Sequence, residues 1–115
     1  MRKSAIIFAA ITFFALSCKK DTTEPPATST FDCNTVTYSG TIASLATSRC
    51  NASGCHNSGS GNGDFTAYAG LKAKFDNGSL RQRVLVEESM PQGGSLTDEQ
   101  YKQFECWINA GAPNN

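Results

Sequence analysis

The chain has 115 residues, ten basic and ten acidic side chains, and a formal net charge of zero. That length allows one small domain, and without a basic stripe nucleic acid is excluded as an expected partner. The single histidine excludes a blue-copper centre, which needs two histidines beside a cysteine.

The first segment, Met1-Arg2-Lys3 followed by an apolar run over 5–16, is a basic start and a short hydrophobic stretch. It reads as an export signal over 1–17, too short to span a bilayer that takes roughly 20 residues as a helix. Ala15-Leu16-Ser17-Cys18 resembles a bacterial lipobox, with Leu16 two residues before the cysteine rather than three. Cys18 is therefore expected to be the lipidated residue, anchoring an exported protein to a membrane that faces the periplasm or the cell surface. Residues 18–30 are polar and without hydrophobic periodicity, the composition of a disordered tether. After Cys18 there are eight basic residues and ten carboxylates, a net charge of −2.

Residues 31–115 form the expected domain, and a piece this small usually needs a staple, a metal or a cofactor. It is rich in Gly, Ser, Asn and Thr. Export places Cys33, Cys50, Cys55 and Cys106 in an oxidising compartment. Cys33 and Cys106 lie near the two ends of the domain. A disulfide between them would close a loop of about 70 residues and contribute about 3–4 kcal/mol in the chain-entropy picture. A bridge between Cys50 and Cys55 is the competing pairing.

Taken in order, residues 37–49 read as a first helix with Ile42, Leu45 and Ala46 on one face. Ser39 is a candidate cap, and Gly40 suits a close helix crossing. The helix delivers Cys50, which opens Cys50-Asn51-Ala52-Ser53-Gly54-Cys55-His56. A cysteine followed directly by histidine, with a second cysteine just upstream, is the arrangement that attaches c-type haem. The common spacing is C-x-x-C-H, whereas here four residues separate the cysteines. Residues 57–64 carry every signal of a loop. Residues 66–75 read as a second helix, capped by Asp64 or Thr66, with Phe65, Tyr68, Leu71 and Phe75 as an aromatic-rich stripe. A third helix over 79–88 turns Leu80, Val84 and Leu85 inward; Arg81 and Arg83 read as solvated side chains, the alternative being that one of them hydrogen-bonds a haem propionate. Met90, the only methionine after the export signal, precedes Pro91, which ends any helix there. The last helix, 97–110, opens with a Thr97/Gln100 capping box and turns Leu96, Tyr101, Phe104, Trp107 and Ile108 inward. No strand is expected, so the domain should be all-α.

Cys50-x-x-x-x-Cys55-His56, Met90-Pro91, Leu96-Thr97-Asp98-Glu99-Gln100 and Cys106-Trp107-Ile108-Asn109-Ala110-Gly111-Ala112-Pro113 together resemble a small c-type cytochrome domain. The chain is most similar to the cytochrome-c-like lipoproteins of Bacteroidetes and the related planctomycete-type cytochromes, over nearly all of 38–113. The resemblance implies a class I cytochrome c-like fold of about four helices wrapped around one covalent haem c. It implies thioether attachment at Cys50 and Cys55, His56 as the proximal iron ligand and Met90 as the distal one. With both axial positions filled, the implied activity is electron transfer between redox protein partners rather than catalysis. The cysteine spacing is the departure from the family pattern. Two rival expectations remain: a haem-free, disulfide-stapled surface lipoprotein, and a five-coordinate haem sensor or enzyme in which Met90 is core. A zinc site would have to take adjacent Cys55 and His56 onto one metal, which is strained.

Overall fold

The computed structural model describes residues 30–115. The export segment, Cys18 and residues 18–29 of the tether lie outside the described residues. The described part is all-α: four helices, short helical turns and loops, with no strand among the described residues. No helix among the described residues is long and apolar enough to cross a membrane.

The entry to the domain is a 3₁₀ turn, Cys33–Thr35, capped by Asp32, whose carboxylate accepts from the Asn34 N–H at 3.0 Å. Tyr38–Ile42 then forms a wide π-helical turn that runs directly into α1, Ala43–Arg49. A uniform helix over 37–49 was expected. Instead the first turn closes i to i+5, with the Ile42 N–H donating to Thr37 O at 3.1 Å. Thr37, not Ser39, is the cap, its hydroxyl accepting from the Gly40 N–H at 3.0 Å. A Cβ on Gly40 would stand 2.8 Å from that hydroxyl, so this glycine makes room for the cap. Asn115 supplies the remaining acceptors at this helix start, its backbone oxygen for Ser39 N–H and its side chain for Tyr38 N–H, both at 2.8 Å.

The second helix, α2, is Tyr68–Asp76, two residues later than expected. Neither Asp64 nor Thr66 caps it. Asp64 instead accepts from the Thr66 N–H at 2.9 Å and from the Thr66 hydroxyl, a local turn that keeps Phe65 and Thr66 out of the helix. After Asn77-Gly78 comes the short α3, Ser79–Arg81, which widens into a second π-helical turn, Gln82–Val86. The helical stretch expected over 79–88 therefore ends two residues early. The Ser89 and Met90 N–H groups both turn back onto Arg83 O, at 3.0 and 3.2 Å.

The last helix, α4, is Asp98–Asn109, with the complete Thr97/Gln100 capping box. Asp98 and Glu99 sit at its positive end. Its Phe104, Cys106, Trp107 and Ile108 are buried, and they meet Ile42, Leu45 and Ala46 from the first helical stretch and Leu71, Leu80 and Val84 from α2 and α3. The residues after α4 are stitched to both α4 and α2: Trp107 Nε1–H donates to Pro113 O at 2.9 Å, and the Tyr68 hydroxyl to Ala112 O at 2.8 Å. Tyr38 packs edge-on to Tyr68 with centroids 5.0 Å apart. Cys33 and Cys106 are paired, with their Cα atoms 5.2 Å apart, so the entry turn is tied to the middle of the central helix.

Candidate functional site

α1 ends where Cys50 takes its C-cap position, with the Cys50 N–H on Ala46 O at 2.9 Å. Of the four residues that follow, Asn51 stays half-buried with its Oδ1 enclosed, and the other three turn outward. Ala52, Ser53 and Gly54 are exposed, Gly54 adopts φ 80°, and the Cys55 N–H donates to Ala52 O at 2.9 Å. The chain then returns, and the His56 N–H donates to Cys50 O at 3.1 Å. The extra length between the cysteines is thus taken up in a surface turn, and His56 comes back beside Cys50.

His56 is held by the segment 63–65. Its Nδ1 lies 3.3 Å from Gly63 O, its backbone oxygen accepts from the Phe65 N–H at 2.8 Å, and its ring stacks on Phe65 with centroids 4.0 Å apart and planes 1° from parallel. A carbonyl can only accept, so in the neutral imidazole this contact selects the tautomer with the hydrogen on Nδ1 and the lone pair on Nε2. Fixing one ring nitrogen on a backbone carbonyl so that the other can ligate is how metal-binding histidines are commonly oriented.

Cys50, Cys55, His56 and Met90 all line one cavity of about 500 Å³, within the range of small-molecule and cofactor sites. Phe65, Leu80, Val84, Leu96 and Phe104 provide its apolar wall. Its charged lining is entirely cationic: Arg49, Lys74 and Arg83 reach it, and no carboxylate among the described residues does. The two arginines of the third helical stretch are thereby separated. Arg81 donates to the Asn109 side chain instead, whereas Arg83 lies at the cavity and also pairs with Glu87 at 3.3 Å.

Cys50 and Cys55 are unpaired thiols, so the competing Cys50–Cys55 bridge is not formed. Burial, and secondarily the neighbouring Cys55, push the Cys50 thiol up to about 11, leaving it neutral at ordinary pH. Chemically the cavity offers one imidazole nitrogen, one thioether sulfur and two thiol sulfurs. It does not offer a zinc cage: among the described residues no cluster of three or more His, Cys, Asp or Glu side chains could hold a metal ion.

The sequence singled out the four chemistry-bearing residues but not their supports. The spacing groups Phe65 with Tyr68, Leu71 and Phe75 in one stripe; the structure adds that its ring stacks on His56. Gly63 and Lys74 carry no sequence signal of their own. Compared with known proteins, the chain matches no family model, no curated protein and no solved structure.

Proposed function

We propose that this protein is a lipid-anchored monohaem c-type cytochrome that carries electrons outside the cytoplasmic membrane. The observation that carries the reading is the convergence of Cys50, Cys55, His56 and Met90 on a single apolar-walled cavity, although Met90 is remote from the other three in sequence. The residues fit the group. Two unpaired thiols stand ready for thioether attachment, and His56 has its Nε2 left for iron by the Gly63 contact. Met90 contributes a thioether sulfur, and the cationic lining suits the two carboxylates that haem carries.

Haem bound there would supply a reversible one-electron iron couple, at a potential raised by methionine ligation. The chain's own residues do the rest. Phe65 and Gly63 O hold the His56 ring in one orientation. Leu80, Val84, Leu96 and Phe104 keep water from the apolar face of the cavity. With His56 and Met90 both committed as ligands, no position remains for substrate, which favours a carrier over an enzyme. Lipid at Cys18 and the polar composition of 19–30 suit a domain that visits redox donor and acceptor proteins at a membrane surface.

The test is a visible spectrum of the protein, co-expressed with haem-maturation machinery, denatured and extracted with acid–acetone. Colour retained by the polypeptide is expected, and colour wholly extracted or never acquired would overturn the proposal. In the loaded protein, Met90→Ala should abolish the sulfur-to-iron charge-transfer band of the oxidised form. Ready binding of carbon monoxide by the reduced wild-type chain would remove Met90 from the iron and point to a sensor or enzyme.

A further inference from the structure

The segment 63–65 touches His56 at three points, and the face of α2 that lies over it is unusually close. A Cβ placed on Gly70 would stand 1.5 Å from Asp64 O and 2.6 Å from Asp64 C. Both are backbone atoms, which cannot swing aside as the end of a long side chain can. One helical turn further along the same face, the Lys74 stem covers Gly63, where an added Cβ would stand 2.9 Å from Lys74 Cε. Gly63 itself has φ 105°, a conformation that favours glycine. The close approach of α2 therefore depends on Gly70, which meets Asp64 backbone, whereas Lys74 Cε is the end of a flexible side chain and can move away from Gly63.

We infer that the strap 63–65, seated against α2 through Gly70, is the device that fixes the orientation and tautomer of His56, with Gly70 as a positioning residue. An alanine at position 70 cannot be accommodated without opening the gap between Asp64 and α2 by about 1.5 Å or more, the difference between the 1.5 Å contact and an ordinary non-bonded separation. Gly63 O is one peptide away from the displaced carbonyl, and its 3.3 Å contact with Nδ1 is already long. The histidine then loses the acceptor that selects the Nδ1–H form. The inference rests on the proposed ligand role of His56 for its functional consequence only, since the tautomer is measurable without any cofactor.

His56 is the only histidine, so the full-length haem-free chain labelled with ¹⁵N-histidine gives a single imidazole to follow by NMR. At a pH well above the ordinary imidazole range, wild type should hold predominantly the Nδ1–H form. Gly70→Ala should lower the ratio of Nδ1–H to Nε2–H about fivefold, the effect of losing one hydrogen bond of ordinary net strength. Gly94→Ala, at a glycine with nothing within 4 Å of an added Cβ, should leave it unchanged. A folded Gly70→Ala chain with the wild-type ratio overturns the inference. Should Gly70→Ala fail to fold, the wild-type chain decides: a predominant Nε2–H form there overturns the inference. Failure of haem attachment with the expected tautomer shift would sink the proposed function and leave the positioning device standing.

Discussion

Removing the Cys33–Cys106 bridge should cost this domain a large share of its stability. The two residues are 73 apart in sequence, and the loop-closure relation for a ring of that size gives about 4.4 kcal/mol at 25 °C. A domain of this length typically has a total stability of about 4–13 kcal/mol. The position of the bridge makes the full effect plausible on structural grounds. Cys106 is buried between Phe104 and Trp107 on α4, while Cys33 sits on the exposed entry turn. The bridge is thus a long-range tie from an edge to the centre, with little local structure to restrain the same loop in the unfolded chain. Cys33→Ser with Cys106→Ala avoids burying a hydroxyl in the core. In urea unfolding of the haem-free chain, the double variant should lose about 2–4.5 kcal/mol, moving the midpoint down by about 1.3–3 M for a slope of about 1.5 kcal/mol per M. A loss below about 1 kcal/mol, with the bridge verified by peptide mapping in the parent, would refute the loop-closure argument. Mapping that found Cys50 joined to Cys55 instead would refute the pairing itself.

Other outcomes are open to direct measurement. Cys50 in the haem-free chain should react with iodoacetamide about 100-fold more slowly at pH 8 than a thiol at its ordinary value of 9.0, because burial raises it to about 11; peptide mass spectrometry reads this, and ordinary reactivity would mean the thiol is not enclosed. The same shift sets a sign for stability. The neutral thiol is favoured in the folded state, so its contribution is complete below pH 9 and declines as pH rises towards 11, visible as a falling thermal midpoint that Cys50→Ala should flatten. Thr97→Ala removes the hydroxyl that accepts from the Gln100 N–H at 3.2 Å and should cost about 1 kcal/mol in chemical denaturation, with Thr97→Ser retaining most of it.

The parts of this molecule that could be read from sequence are those governed by local rules. Thr97, Gln100 and the periodic Phe104, Trp107 and Ile108 specify α4 by capping and spacing alone, and the helix falls within a residue of its expected ends. Ile42, Leu45 and Ala46 likewise mark a buried face regardless of how the first turn is wound. The wide turns at Tyr38–Ile42 and Gln82–Val86 were not legible, because each depends on groups distant in sequence or folded back on the chain. Asn115 completes the first, and the Ser89 and Met90 amides close on Arg83 after the second. The same limit applied at the site. The cysteine–histidine pattern marks Cys50, Cys55 and His56 and the family resemblance points to Met90, while Phe65 and Gly70 owe their placement to how α2 lies across 63–65.

The off-pattern cysteine spacing illustrates why tertiary placement outweighs residue count here. The proposed haem site would need two thiols on one cavity and an imidazole returned to the same wall, and the four-residue linker meets that need by turning outward and coming back. Ala52, Ser53 and Gly54 form such a turn at the rim, and the bond from the His56 N–H to Cys50 O fixes the return. What lies beyond the linker then does the orienting: Gly63 O on Nδ1, the Phe65 ring against the imidazole, and α2 behind both. Two additional residues between the cysteines therefore change the rim of the cavity more than the wall that carries the chemistry. If the proposed haem is attached, its thioether positions would be spaced differently from the common motif while the strap 63–65 keeps the histidine ring oriented.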